Sequence, residues 1–239
     1  MKRSLIIAIL FAAGFAGEVA AQAPQRAGGE FGNFYVGLSA GAVLPQDVHQ
    51  TVSGSFFGLP VSGSGNFSYK PGFMIDGLLG YHYNDYLAAE ADLAYSQYDD
   101  DKISGQIAVG PFVATGAKVD GNADTWWGFA NGIVTPLGRA GFSPYVGGGL
   151  GFSAYDAKLN SITSSAFGVV PVNASTSGTN LAADAIVGFD YTVTSAFSLG
   201  ARYRFIWTNS ARTSTSMGIT AKEDDALYHV FSVTAKYRF

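Results

Sequence analysis

The chain contains no cysteine, few charges and no apolar run long enough for a membrane-spanning helix. Without cysteine there is no disulfide scaffold and no thiolate zinc site. Charged residues make up 13% of the 239 residues, about half the share of an ordinary soluble domain. The net charge of −4, with 14 Lys and Arg against 18 Asp and Glu, lacks the basic surface that nucleic-acid binding needs. Histidine occurs three times, as His49, His82 and His229, and no two are spaced as metal ligands. No stretch holds 18 uninterrupted apolar residues, so a helical span is excluded. What is abundant is glycine (31 residues), Ser, Thr and aromatic residues (14%), which excludes a disordered chain.

The N-terminus reads as an address. Lys2 and Arg3 precede the apolar run from Leu5 to Ala16, and small residues lead to Ala20-Ala21. This is the layout of a secretory signal peptide over residues 1–21, followed by a short lead over 22–31 and one domain over 32–239. An exported chain that enters a membrane without helices must do so as a closed barrel, because lipid offers no hydrogen bonds to an open sheet edge.

Eight segments alternate in period two: Phe34–Leu44, Gly72–Tyr83, Tyr86–Ser96, Thr125–Leu137, Pro144–Ser153, Thr179–Tyr191, Phe197–Thr208 and Ala226–Phe239. Their length fits tilted membrane strands, which need about nine to eleven residues. Connections at Asn84-Asp85, Gly138–Ser143 and Thr192–Ala196 are short. Those at 46–71, 97–124, 154–178 and 209–225 are long and polar, and this alternation is that of an outer-membrane barrel. The fold expected is therefore all-β, an eight-stranded antiparallel up-and-down transmembrane β-barrel.

The faces of these segments differ in charge. Rows such as Phe73, Ile75, Gly77, Leu79, Tyr81 or Phe197, Leu199, Ala201, Tyr203, Phe205 carry no Asp, Glu, Lys or Arg. Facing lipid, one Lys or Arg at the midplane would cost about 2–4 kcal/mol. The opposite rows carry Asp76, Glu90, Asp92, Asp184 and Asp190 against Arg202, Arg204, Lys236 and Arg238. In a lumen only wide enough for side chains, these must pair. They form either a salt-bridged plug or a gated ion path. The segment 125–137 leaves its facing open, since Trp127, Phe129 and Ile133 share a face with Asn131 and alternate with Trp126, Ala130 and Val134.

The closing strand, Val233-Thr234-Ala235-Lys236-Tyr237-Arg238-Phe239, resembles the C-terminal signature of Gram-negative outer-membrane barrels, with Phe231, Val233, Ala235, Tyr237 and Phe239 as its alternating row. Pro144-Tyr145-Val146-Gly147, Ser198-Leu199-Gly200-Ala201-Arg202-Tyr203 and Asn33-Phe34-Tyr35-Val36-Gly37 are similar to the fifth, seventh and first strands of small barrels of this kind. Over nearly all of 32–239 the chain resembles the surface-antigen family that includes opacity proteins and the OmpA transmembrane domain. That resemblance implies a place in the bacterial outer membrane among lipids and lipopolysaccharide, and insertion by the outer-membrane assembly machinery, with Phe231 to Phe239 as the assembly signal. It implies an adhesin-like or envelope-stabilising role, with host surface ligands as partners, through the four long connections. It implies no cofactor, metal or enzyme activity. Two alternatives stand beside it, a narrow pore through the charged lumen and a lipid A-modifying enzyme. The latter would need His229 as a base and a loop serine such as Ser214 or Ser216, and no fixed triad marks one.

Overall fold

A computed structural model describes residues 33–239 apart from 57, 110, 140, 165–167, 211 and 215–218. The expected signal peptide and lead, and Ser216, lie outside the described residues. Among the described residues twelve strands follow one another: β1 (Phe34–Pro45), β2 (Val48–Phe56), β3 (Leu59–Tyr69), β4 (Gly72–His82), β5 (Leu87–Val109), β6 (Phe112–Val134), β7 (Phe142–Ser164), β8 (Gly168–Thr192), β9 (Phe197–Thr208), β10 (Arg212–Ser214), β11 (Ile219–Glu223) and β12 (Ala226–Arg238). No helix among the described residues is long and apolar enough to cross a membrane.

Eight of the strands close a ring in the order β1, β4, β5, β6, β7, β8, β9, β12 and back to β1, every neighbour antiparallel. The molecule is the closed eight-stranded barrel that the period-two pattern implies. Register follows the faces. Ser39 stands opposite both Asp76 and Thr234, so polar rows meet polar rows around the wall. The short connections are tight turns. Asn84 Oδ1 accepts the N–H groups of Tyr86 and Leu87 (2.8 Å each), and Thr194 Oγ1 accepts that of Phe197 (3.1 Å). Gly138, at φ 75°, donates to Thr135 O in a conformation that L-residues avoid.

The long connections are largely sheet, not loops. β5, β6 and β7 run 23 residues each and β8 runs 25, continuing their ladders well past the closed ring. The connection 46–71 folds into the β2–β3 hairpin, whose β3 pairs with the far half of β5 from Tyr69↔Asp100 to Val61↔Val109. The connection 209–225 supplies β10 and β11, and β11 pairs with β2. Above the ring there is thus a second curved wall, ordered β10-β11-β2-β3-β5-β6-β7-β8. Residues 97–124 and 154–178 were expected as loops from their Gly, Ser and Asp content. Ladder hydrogen bonds, on both sides for the far halves of β5, β6 and β7 and on the β7 side for that of β8, outweigh that weak local preference.

Candidate functional site

The outer wall of the ring is an apolar belt. Leu38, Ile75, Leu79, Leu93, Leu150, Leu181, Leu199 and Val233 are all exposed, far beyond what a soluble monomer shows in one continuous patch. Aromatic residues border the belt on both sides. Phe34, Tyr83, Tyr86, Tyr191, Tyr237 and Phe239 lie toward the short turns, and Phe73, Trp126 and Phe152 toward the long connections. Paired aromatic girdles around an apolar band are the mark of a membrane barrel. Phe231, Val233, Tyr237 and Phe239 are exposed on this outer face, with Ala235 half-buried among them.

The interior is filled in three layers. Toward the long connections lie Val43, Met74, Tyr98, Trp127, Phe129, Ile206 and Val230, with Tyr69 and Tyr228 packed on them. The Trp127 and Tyr228 rings meet edge to face at 5.0 Å, and Trp127 Nε1 donates to Ser96 Oγ at 2.9 Å. Toward the short turns, Tyr35, Leu78, Ala88, Ile133, Tyr145 and Ile186 form a second apolar layer. Here β6 takes its facing. Trp127 is 0% exposed and Trp126 is 50% exposed, so Trp127, Phe129, Asn131 and Ile133 point inward.

Between the two apolar layers sit the charges. Arg202, on β9, donates to Glu90 Oε2 at 2.6 Å and to Asp92 Oδ2 at 3.4 Å, both on β5. Arg204 also reaches the Asp92 carboxylate, lies 3.1 Å from Asp184 Oδ2 and 3.7 Å from Asp76 Oδ2, and stacks 5.3 Å over the Phe129 ring. Lys236, on β12, bridges Glu90 Oε1 (3.3 Å) and Asp190 Oδ2 (2.9 Å), with its ammonium 4.8 Å above the Tyr145 ring. Tyr35 Oη donates to Glu90 Oε1 at 2.8 Å, and Asn131 Nδ2 to Asp92 Oδ2 at 2.8 Å. Arg238 stands apart from this centre, toward the short turns, where it donates to Ser198 Oγ at 3.4 Å. Each carboxylate of Glu90 and Asp92 is shared by two cations, which offsets the large cost of burying charge. The network spans β4, β5, β8, β9 and β12 and so ties opposite walls across the lumen. Asn131, Tyr35 and Tyr145 belong to it too. No charge marks these three in the sequence, where the facing of Asn131 stays open.

The histidines do not converge. His229 lies on the outer side, with Tyr203 Oη 2.7 Å from Nδ1 and Gln46 Nε2 2.6 Å from Nε2, so both ring nitrogens are engaged. His82 packs on the Tyr35 ring at 4.6 Å, and His49 contacts Asn66 Oδ1 at 2.9 Å. Asp225, from the acidic run 223–225, accepts from Trp207 Nε1 and from the backbone of Ser210. Among the described residues no group of three or more His, Asp or Glu is placed to hold a metal ion.

In the wall above the ring two partly buried carboxylates come from different elements. Glu223 (β11) is pushed up to about 7 by burial and by the neighbouring Asp100. Asp100 (β5) is pushed up to about 6 by burial, then by Asp99 and Asp120, with Lys70 opposing.

Among solved structures, the chain is similar to the outer membrane protein OprG of Pseudomonas aeruginosa, with 15% identity and a TM-score of 0.52, covering 87% of this chain and 96% of that one. It is also similar to the outer membrane protease OmpT of Escherichia coli, with 10% identity and a TM-score of 0.51 over 87% and 97% of the two chains. At these identities both likenesses show the fold alone. Neisserial surface protein A aligns with 19% identity, a TM-score of 0.47 and coverage of 86% and 97%. No curated protein matches the sequence. The model of the outer membrane protein beta-barrel domain matches residues 8–239. With its apolar belt, aromatic girdles and closed ring, the chain belongs to that family, whose place is the bacterial outer membrane.

Proposed function

We propose that this protein is a surface-exposed binding protein of the outer membrane. Its filled barrel is a rigid base, and the wall beyond the belt is the part offered to partners outside the cell. The observation that carries this reading is the division of the molecule. The charges of the ring are spent on one another, while β2, β3, β10, β11 and the far halves of β5 to β8 project as ordered sheet. Host surface ligands are the partners of that wall, lipids and lipopolysaccharide those of the belt. The assembly machinery reads the Phe231-to-Phe239 row.

The test compares intact cells bearing the full chain with cells bearing a chain in which the connections 46–71, 97–124, 154–178 and 209–225 are cut to short turns. Heat-modifiable migration on a gel reports that both barrels are folded. Loss of adherence to host cells and matrix proteins in the trimmed form is the expected result, and equal adherence overturns the proposal.

Catalysis does not enter this reading: the two nitrogens of the outward histidine, His229, meet Tyr203 Oη and Gln46 Nε2, which are neither the serine nor the carboxylate of a triad. Residues 1–21 act as a cleaved signal peptide, so N-terminal sequencing of the protein from outer membranes should begin at Gln22.

A further inference from the structure

The wall above the ring has two ends that do not meet among the described residues: three-residue β10 at one, and the far half of β8 at the other. β8 is bonded to β9 only as far as Ala182↔Thr208, with one more bond from Asn209 N–H to Leu181 O (3.1 Å). There the chain leaves β9 to form β10, which pairs with β11 instead. β8 nevertheless continues back to Gly168 as a strand, paired with β7 on its other side.

Parity shows which groups this leaves open. The Leu181 carbonyl points toward β9, so Thr179, Ser177 and Ser175 turn their N–H and C=O groups the same way. The alternate residues Thr176 and Gly178 stand in the ladder with Ala157 and Tyr155 of β7. The side chains of Ser175, Ser177 and Thr179 lie exposed on the outer face. Edges are ordinarily protected by lysine, by inward charges or by being very short. From Gly168 to Asn180 this edge has no charged residue, and Pro171 lies beyond the register shift that follows Ala174.

We propose that the 175–181 edge of β8 is a strand-addition site for an extended, uncharged, Ser/Thr-rich peptide segment, which runs antiparallel to β8 and continues the track of β9. This rests on the surface-binding reading and names the partner of that surface. Three features fix the occupant. Continuity with the β8–β9 ladder sets its direction. The uncharged edge favours a neutral strand. The outward row of hydroxyls pairs across strands with further Ser and Thr. A second copy in the same membrane does not fit, since barrels inserted the same way up would bring their β8 edges together in parallel.

The experiment uses the full-length chain in lipid nanodiscs and a blocked octapeptide of alternating threonine and glutamine. The control is the same peptide N-methylated at alternate residues. Hydrogen exchange is read at Ser175, Ser177 and Thr179. The plain peptide at millimolar concentration should slow these amides at least tenfold, and the methylated one should not. Ser177→Pro removes a donor from the open side and leaves the β7 ladder whole, as edge-strand proline does. It should abolish the protection at Ser175 and Thr179. Ser175→Pro, read at Ser177 and Thr179, repeats the test if the first variant does not reach the folded, heat-modifiable form. No slowing by the plain peptide, or equal slowing in the proline variants, overturns the inference. So does a peptide-free dimer that protects the same amides, because the occupant would then be a second copy. On cells, adherence lost by trimming but kept by Ser177→Pro defeats this inference and spares the surface-binding reading. Adherence kept in both defeats the two together.

Discussion

Glu90 shows how much one buried residue carries. Its two oxygens serve Arg202, Lys236 and the Tyr35 hydroxyl, and its side chain has no exposure. Removing one member of such a set strands the others in a medium that solvates them poorly. Glu90→Gln keeps the shape and deletes the charge. It should lower the barrel's stability to urea in bilayers by about 3 kcal/mol, the low end for a broken buried pair, because Arg202 keeps Asp92 and Lys236 keeps Asp190. The control is Asp85→Asn. Asp85 meets Arg139 at 3.1 Å with 44% of its side chain exposed, and its loss should cost no more than about 1 kcal/mol. The charged members of this network were legible in the sequence, because period two separates a charge-free row from a charged one. Trp127 and Phe129 were not. A hydrophobic side chain is welcome both in lipid and in a packed lumen, so its character does not tell the two faces apart. Only the register Leu93↔Gly128 and Ala91↔Ala130 sets the small residues of β6 outward and these aromatic residues inward.

At the scale of elements, the ring strands were readable to within a few residues at their short-turn ends. Asn84-Asp85 and similar turn chemistry stops a strand by local rules. Their far ends were not readable. The tract from Gln97 to Asp124 holds Asp99-Asp100-Asp101 and several glycines, which argue locally for loop. What keeps it extended is nonlocal, with β3 on one side of β5 and β6 on the other. β11 is a short piece, five residues joined to β2 and to three-residue β10. Its Glu223 binds a proton more readily in place than when free in solvent, since burial and Asp100 both raise its pKa to about 7. The docked state therefore holds more protons than the released one, and docking strengthens as pH falls and weakens as pH rises through about 7. Amide exchange over 219–223, corrected for the intrinsic rate, should be slower at about pH 5 than at about pH 8. Glu223→Gln should flatten that dependence.

For the whole molecule, the filled lumen supports the proposed reading of the barrel as a base and leads to a prediction about conductance. Two apolar layers close the ends, and the charges between them are bonded to one another. An ion entering this space would have to displace a cation from two carboxylates at once. Planar bilayers holding the purified protein should stay silent, and Asp76→Asn should leave them silent. Steady single-channel steps altered by Arg202→Ala would contradict that.

The 23-residue strands have a consequence for recognition by an outside observer such as an antibody. At about 3.3 Å per residue and a tilt near 40°, such a strand rises roughly 55 Å, against an apolar band about 25 Å tall. Roughly 30 Å of stiff scaffold therefore stands clear of the band, its shape set by backbone ladders and its inward row by packing. Only every second residue meets the observer. Those positions are free to change identity while the outline stays fixed, so an antigen of this build can alter its face at alternate residues without refolding.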